Sequence, residues 1–214
     1  MNYNIFDIID NNNYTKLKQL SDNRVNLNIK KEGITTLHKA SSIGNIDIVR
    51  LLLNNNIDID ILEDNKKFTP LQHAVIYGQY DMVKYLVKNG ASVNYKNHYD
   101  ITPLYLATGF KYPQIVKYLL ENKANVNIQQ KDYKDTPLHI ASQQGNIPII
   151  NLLLQNGAKT NIKNNDFYTP IDKAPNNKIK NILKNNNNKR NKTKKKYNKT
   201  KVKRSKKNKR SIKK

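Results

Sequence analysis

The side chains able to do acid–base or metal chemistry are few in this sequence, and they are scattered. The 214 residues include four histidines and no cysteine. None of His38, His73, His98 and His139 forms the i, i+4 pair with an intervening glutamate that a metalloprotease helix requires. Four scattered imidazoles without a thiolate do not predict a metal site. We therefore expect no metal and no other cofactor.

An acidic cluster is the second candidate for chemistry. Asp58, Asp60, Glu63 and Asp64 lie close together in a polar segment. Paired carboxylates act as general acid and base where an apolar pocket raises the pKa of one of them. No apolar pocket is indicated here, so we interpret the cluster as a solvated turn. The chain also lacks the glycine-rich motifs of phosphate-binding loops. The sequence therefore predicts a protein that is not an enzyme.

A repeated pattern shows which elements carry these residues. Thr-Pro-Leu or a close variant begins at Thr35, Thr69, Thr102, Thr136 and Thr169, in steps of 34, 33, 34 and 33 residues. In each copy threonine suits a helix N-cap, and proline, where present, suits the first helical turn. A second apolar helix follows each start, and glycine or asparagine commonly ends it. A period of this length predicts a solenoid of stacked helical units.

The copies differ in regularity. The copy at residues 135–161 is the best formed, with proline, histidine and both turn glycines in place. The copy at residues 101–127 departs most, because Tyr105 stands at the histidine position and Lys111 and Lys123 replace the two glycines. A lysine in the left-handed conformation costs about 1 kcal/mol or slightly more. We therefore expect this copy to be the weakest joint of the stack.

The period, the T-P-L-H-x-A pattern and the later G-A-x-V-N resemble the ankyrin repeat family over roughly residues 1–184. The resemblance implies an all-α ankyrin-repeat solenoid, with helix-turn-helix units joined by β-hairpin loops. It also implies that His38 and His139 tie helix starts to neighbouring backbone. We predict these boundaries: a degenerate N-terminal capping repeat at 1–33, ankyrin repeats at 34–66, 67–99, 100–132 and 133–165, a truncated C-terminal capping repeat at 166–184, and a disordered Lys/Asn-rich basic tail at 185–214.

The same resemblance implies a concave groove, lined by hairpin tips and first helices, in which a protein partner docks. Transferring the groove positions gives these candidate contacts: Tyr77, His98, Tyr99, Phe110, Tyr133, Gln143, Gln144 and Tyr168. Tyrosine anchors partners well because it buries a large area and keeps a polar group. Two interpretations stay open for Phe68, Tyr99, Tyr133 and Phe167: they anchor a partner, or they pack between adjacent hairpins.

Most of the net charge of +23 lies at the C-terminal end. Residues 184–214 hold 17 of the 39 Lys and Arg and no acidic residue, which leaves 22 basic and 16 acidic groups before them. The following basic clusters resemble those read by nuclear import receptors: Lys189, Arg190 and Lys192, then Lys203, Arg204, Lys206, Lys207, Lys209 and Arg210. They equally suit non-specific nucleic-acid binding, since extended lysine chains neutralise phosphates. An extension without function is the third interpretation.

Composition indicates the setting. Asparagine is heavily used, at 35 residues, and lysine outnumbers arginine 34 to 5, which is typical of AT-rich coding. This composition resembles ankyrin proteins of giant DNA viruses of amoebae, and proteins of an AT-rich protist or intracellular bacterium have a similar composition. The lack of cysteine suits a reducing compartment. The first residues do not read as a secretory signal, and no apolar run approaches the roughly 20 residues of a membrane span. We therefore expect a soluble, monomeric, intracellular protein, cytoplasmic or nuclear.

Two functional hypotheses follow. The leading one is a non-catalytic protein–protein interaction adaptor, whose groove selects a partner of unknown identity while the tail targets the nucleus or contacts a polyanion. The alternative is a non-specific nucleic-acid-associated protein in which the tail binds and the repeats recruit.

Overall fold

A computed structural model describes residues 4–186 of the chain. Within that part the chain folds into five helical pairs, which we number as the first to fifth units. The first pair precedes the repeated threonines, and one pair follows each of Thr35, Thr69, Thr102 and Thr136. The helices are α1 (Ile5–Asp10), α2 (Tyr14–Asp22), α3 (Thr36–Ile43), α4 (Ile46–Asn54), α5 (Pro70–Ile76), α6 (Tyr80–Lys88), α7 (Pro103–Gly109), α8 (Pro113–Glu121), α9 (Pro137–Gln143), α10 (Ile147–Gln155) and α11 (177–186). The predicted fold class is confirmed as a mostly helical solenoid. The basic clusters from Lys189 to Arg210 lie outside the described residues.

The helix starts follow the repeated threonine, as the pattern predicts. Thr69 and Thr136 are the N-caps of α5 and α9, and each hydroxyl accepts a hydrogen bond from the backbone N–H three residues on. Thr35 and Thr102 cap α3 and α7 in the same way. Proline occupies the first turn of α5, α7 and α9, where its missing N–H removes no helical bond. Local sequence therefore sets where each first helix begins.

One continuous apolar core runs through the stack. The leucine after each Thr-Pro or Thr-Thr pair is fully buried, which places Leu37, Leu71, Leu104 and Leu138 in a row. The second helices face the same core: Ile48, Val49 and Leu52 in α4, Met82, Val83 and Leu86 in α6, Ile115, Val116 and Leu119 in α8, and Ile149, Ile150 and Leu153 in α10. Burying one leucine side chain contributes about 2 kcal/mol. Since these contacts link neighbouring units, each unit needs the next to cover its apolar face.

Hairpin loops project from the junctions between units; we call them fingers, at residues 30–35, 63–69, 97–102, 130–136 and 164–169. The first contains the strands β1 (Lys30–Lys31) and β2 (Ile34–Thr35), paired antiparallel. In each of the other fingers, a backbone hydrogen bond joins the two ends of the loop. Further backbone hydrogen bonds join each finger to the next. His98 N donates to Lys66 O at 3.2 Å, and Asn165 N donates to Tyr133 O at 2.8 Å. The fingers therefore form one connected row.

Both lysines that replace turn glycines adopt the left-handed conformation, as predicted. The φ angle is 62° at Lys111 and 65° at Lys123, against 68° at Gly145 and 97° at Gly157, the corresponding turn residues of the next unit. The turn geometry of the repeat is thus kept, and replacing glycine by lysine costs backbone strain at these two positions.

Candidate functional site

Each of the last four fingers is held by a buried polar side chain at its base. Glu63, Asn97, Gln130 and Asn164 occupy equivalent places, and all four are buried. Asn97 Oδ1 accepts hydrogen bonds from the N–H groups of Tyr99 and Ile101, at 3.0 and 2.9 Å. Gln130, Asn164 and Glu63 also accept N–H groups of their own fingers. These side chains replace solvent as partners of the loop backbone and fix the finger shape.

A second side chain links each first helix to the next finger. This position is the fourth residue of the Thr-Pro-Leu-His pattern, and we call it the bridge position. His38 Nε2 donates to Phe68 O at 2.9 Å, Gln72 Nε2 to Ile101 O at 2.8 Å, and His139 Nε2 to Tyr168 O at 3.0 Å. The structural role expected for His38 and His139 is confirmed, and Gln72 performs the same role.

The two bridging imidazoles are held neutral. Burial, then the neighbouring His73 ring, lowers the pKa of His38 to about 3. Burial also lowers the pKa of His139 below its usual range. In each ring one nitrogen donates to a carbonyl while Nδ1 faces a threonine hydroxyl, at 2.7 Å from Thr35 and 2.8 Å from Thr136. A neutral ring satisfies both contacts, which suits a structural duty and not proton transfer.

Tyr105 is the exception at the bridge position. Its hydroxyl makes no hydrogen bond to any group within the described part of the chain, and its ring instead lines a pocket on the finger side of the stack. Burial, and secondarily the negative charge of Asp135, raise the pKa of Tyr105 to about 12. The phenol is therefore an even weaker acid than an ordinary tyrosine, which is itself protonated at neutral pH.

This pocket, the aromatic pocket, is an open depression of about 340 Å³ spanning three consecutive fingers. It is lined by Lys66, Phe68, Tyr99, Ile101, Tyr105, Gln130, Asp132 and Tyr133. Of the predicted contacts it brings together Tyr99 and Tyr133, whose side chains are 41% and 63% exposed. The pocket combines apolar walls with a few polar groups, a composition typical of binding sites.

The other aromatic candidates lie outside this pocket. Tyr77 and Phe110 follow the last residues of α5 and α7, at equivalent positions of neighbouring units, and both are exposed. Tyr77 stacks on His73 with ring centroids 6.5 Å apart, and Phe110 stacks on Tyr112 at 6.1 Å. One face of each ring is thus supported, while the remainder faces solvent.

The polar candidates differ from one another. His98 and Gln143 are exposed. Tyr168 is also exposed, and Lys173 Nζ lies 5.5 Å from its ring centroid. Gln144 is half-buried and donates to Gly109 O at 2.8 Å, so its amide already joins two units.

The exposed fraction of each finger aromatic side chain distinguishes packing between fingers from availability to a partner. Phe68 is half-buried, so packing between fingers accounts for much of its surface. Tyr133 and Phe167 are 63% and 76% exposed, and packing within the stack leaves most of these side chains uncovered. Phe167 also has a φ of 63°, a strained conformation for an aromatic residue.

The acidic cluster is not wholly a solvated turn, and for Glu63 that interpretation is wrong. Glu63 is 6% exposed, and its carboxylate accepts a hydrogen bond from His73 Nε2 at 3.1 Å. Burial lowers the pKa of His73, and Glu63 opposes that shift. Asp60 is half-buried and accepts the Ser92 N–H, whereas Asp64 is exposed and pairs with Lys30. The Glu63–His73 pair is therefore largely buried inside the stack, with both side chains less than a tenth exposed.

Four lining residues were not among the contacts predicted from sequence: Lys66, Tyr105, Gln130 and Asp132. A sequence signal did exist for Tyr105. It is a tyrosine at the bridge position, and it lies between the finger tyrosines Tyr99 and Tyr133 in the sequence. Within residues 4–186, no group of three His, Cys, Asp or Glu is arranged to hold a metal ion. In that same part of the chain, no helix is both long and apolar enough to cross a membrane.

The stacked helical pairs and the connected row of fingers place this chain in one structural class, the α-helical repeat solenoids with hairpin fingers. The family model of ankyrin repeats, in three copies, matches residues 5–97 and 93–164. The chain belongs to the ankyrin repeat family.

Curated relatives match part of the chain. Mouse ankyrin repeat and SAM domain-containing protein 6 is 33% identical over 92 residues, 42% of this chain and 10% of the relative. An ankyrin repeat protein of Acanthamoeba polyphaga mimivirus is 36% identical over 74 residues, 34% of this chain and 10% of the relative. Mouse B-cell lymphoma 3 protein homolog is 37% identical over 79 residues, 36% of this chain and 18% of the relative. The matched segments thus span less than a fifth of these relatives.

Proposed function

We propose that this chain is a non-catalytic adaptor that holds a protein partner along its fingers and first helices. Ankyrin repeats generally mediate protein–protein interactions. The observation that carries the proposal here is a set of exposed aromatic side chains on the fingers and at the ends of the first helices: Tyr77, Tyr99, Phe110, Tyr133, Phe167 and Tyr168. Exposed aromatic residues gathered in one region are typical of protein interfaces.

Rigidity of the fingers supports the same function. Asn97, Gln130 and Asn164 hold the finger backbones, and backbone bonds join each finger to the next. Binding to a preformed surface loses less conformational entropy than binding to a loop that must first be ordered. Tyr99 and Tyr133 are therefore presented in a fixed arrangement before any partner arrives.

Alanine variants of the exposed aromatics test this function. We expect Tyr77→Ala, Phe110→Ala and Tyr133→Ala each to weaken the capture of a specific partner from the native cell by about tenfold or more, as for interface anchors. Tyr14→Ala is the matched control, since Tyr14 is 39% exposed but lies in α2 of the first unit. Unchanged capture by all three folded variants would discard the groove as the binding surface.

A second candidate function rests on the tail sequence. Residues 184–214 carry 17 basic groups and no acidic group, which favours contact with nucleic acid or with a nuclear import receptor. If about eight lysines meet phosphates, the log of the affinity falls with log salt at a slope near −7. Deleting residues 185–214 discriminates: the adaptor keeps its partner, whereas a nucleic-acid-associated protein loses its main activity.

A further inference from the structure

The second finger, at residues 63–69, is held by ionisable side chains at both its base and its bridge. His38 Nε2 donates to Phe68 O at 2.9 Å, and Glu63 Oε1 accepts the Lys66 N–H at 3.2 Å. An imidazole changes its charge between about pH 5 and 8 unless its surroundings shift the pKa. The hydrogen bonds that hold this finger therefore depend on which of these groups carry protons.

The third finger, at residues 97–102, is held by amides at the same two positions. Gln72 Nε2 donates to Ile101 O at 2.8 Å, and Asn97 Oδ1 accepts the Ile101 N–H at 2.9 Å. Amide side chains do not change charge with pH in this range. The chain therefore places a finger with ionisable attachments directly beside a finger with neutral ones.

Glu63, His38 and His73 meet in one buried group, which we call the histidine cluster. The ring centroids of His38 and His73 lie 4.8 Å apart, and His73 Nε2 lies 3.1 Å from Glu63 Oε2. All three residues are less than a tenth exposed. Two imidazoles share one carboxylate, so a second proton on the rings has no counter-charge within the cluster.

The charge that reaches His38 from outside the cluster is positive. It belongs to Lys30 of the first finger, whose ammonium also pairs with Asp64. Tyr77, at the end of α5, stacks on the His73 ring. Titratable groups on the helices packed around α3 and α5 have other contacts: Asp10 pairs with Lys39, Asp47 with Arg50, Asp81 with Lys84, and Tyr105 lines the aromatic pocket.

Both rings of the cluster are held neutral more strongly than the ring of an exposed histidine. Burial, then the His73 ring, lowers the pKa of His38 to about 3. Burial also lowers the pKa of His73, and Glu63 opposes that shift. In an open finger the rings meet water, and their pKa values return towards about 6.5. The open form then binds protons that the closed form does not, so acid favours opening below about pH 6.5.

We propose that the histidine cluster makes the second finger acid-sensitive, so that it opens in mild acid while the third finger stays closed. Opening separates Phe68 O and the Lys66 N–H from their buried partners. It also frees Lys66 O, which accepts the His98 N–H and so joins the second finger to the third. Histidine clusters of this kind act as pH sensors when they bias an element between two states.

Opening also affects the recognition surface. Lys66 and Phe68 line the aromatic pocket, so an open second finger removes one of its walls. Loss of a partner in mild acid is a consequence that rests on the proposed adaptor function. The opening itself does not depend on that function.

Hydrogen exchange of backbone amides, followed by NMR on the full chain between pH 7 and pH 5, tests the proposal. Each exchange rate is divided by that of an unstructured peptide at the same pH, which gives a protection factor for local opening. The Lys66 N–H reports on the second finger, and the Ile101 N–H reports on the third. We expect protection of Lys66 to fall about 25-fold or more from the His38 shift, and that of Ile101 to change by less than about threefold.

Two variants, each copied from an equivalent position of this chain, separate charge from packing. His38→Gln copies Gln72 and keeps a donor for Phe68 O, so it should remove about 25-fold of the fall in protection at Lys66. Glu63→Gln copies Gln130 and keeps an acceptor for the Lys66 N–H. It removes the single counter-charge of His73, so the fall in protection should become steeper. A purely structural role of the cluster does not predict opposite effects from two amide substitutions.

Three results would overturn the proposal. Equal loss of protection at Lys66 and Ile101 means that acid loosens the whole stack instead of one finger. Full protection of Lys66 at pH 5 means that the finger does not open. An unchanged pH dependence in His38→Gln means that the cluster does not control the opening. The adaptor function is untouched by each of these results, because it is tested at pH 7 through Tyr77, Phe110 and Tyr133.

Discussion

The fourth and fifth units, at residues 101–127 and 135–161, share one fold but are held together by different residues. In the fifth unit His139 bridges to the next finger, and Gly145 and Gly157 supply the left-handed turns. In the fourth, Tyr105 lines a pocket, and lysines hold the same turns under strain. The buried leucines, by contrast, are identical in type and burial in both units. The core leucine of the first helix is therefore kept, and the two units differ at the bridge position and at both turns.

Loss of a core leucine should have the largest effect and should be similar in both units. Leu104 and Leu138 are equivalent and fully buried. Leu104→Ala and Leu138→Ala are each expected to lower the free energy of unfolding by about 3 kcal/mol, from lost burial and the cavity left behind. Urea unfolding followed by circular dichroism measures this. A loss under about 1 kcal/mol at Leu104 alone would show that the fourth unit is loosely packed as well as strained.

Changes at the bridge position should act in opposite directions in the two units. His139→Ala leaves the Tyr168 carbonyl and the Thr136 N–H without their partner, so we expect a loss of about 2 kcal/mol in stability. Tyr105→His, its counterpart, is expected to form a bridge to the next finger and to raise the free energy of unfolding by about 1 kcal/mol. The same urea titrations compare them. Destabilisation by Tyr105→His would mean that packing of the tyrosine ring contributes more stability than a histidine bridge does.

Acid should weaken the histidine bridges of the second and fifth units. The fourth unit has Tyr105 at this position and should not share that acid sensitivity. The pKa of His38 is about 3 in the folded chain, against 6.5 for an ordinary histidine. Between these values the unfolded chain binds a proton that the folded chain does not, so stability is constant above pH 6.5 and falls below it. The expected slope is about 1.4 kcal/mol per pH unit.

His38→Gln provides the control for this pH dependence. Gln72 shows that glutamine makes the same bridge to the next finger. The variant should therefore stay folded and lose about 2 kcal/mol of the pH dependence between pH 6.5 and 5, where few carboxylates titrate. An unchanged slope would assign the acid sensitivity to His73 or His139, whose pKa values burial also lowers.

Sequence predicted the parts of the fold that local chemistry determines. The Thr caps, the prolines of the first turn and the left-handed Lys111 and Lys123 all depend on residues within a few positions of one another. The bridging roles of His38 and His139 followed from the family resemblance, because their acceptors lie about thirty residues away.

Long-range contacts explain what sequence did not predict. Glu63 lies in a polar segment and looks solvated, but the fold places it against His73, which closes over it. The aromatic pocket likewise needs three fingers in register, so Lys66 could not be assigned to it from its own segment. Asn97 carries a related cost: its Nδ2 is buried without a partner within the described residues, whereas the equivalent Asn164 donates to Asp135.

Relief of turn strain should have the smallest effect and should separate stability from binding. Lys111 has a φ of 62°, at the place where Gly145 stands in the next unit. Lys111→Gly removes the left-handed penalty but frees the unfolded chain, so we expect a net gain of about 0.5–1 kcal/mol. The reverse change, Gly145→Ala, adds strain at a φ of 68° and brings Cβ to 3.4 Å from Ile179 Cδ1, so a loss of similar size is expected. Lys111 does not line the aromatic pocket, and partner binding should therefore be unchanged while the melting temperature rises. A gain in stability accompanied by weaker binding would show instead that the strained turn positions the fingers, and that the irregular unit needs its strain to recognise a partner.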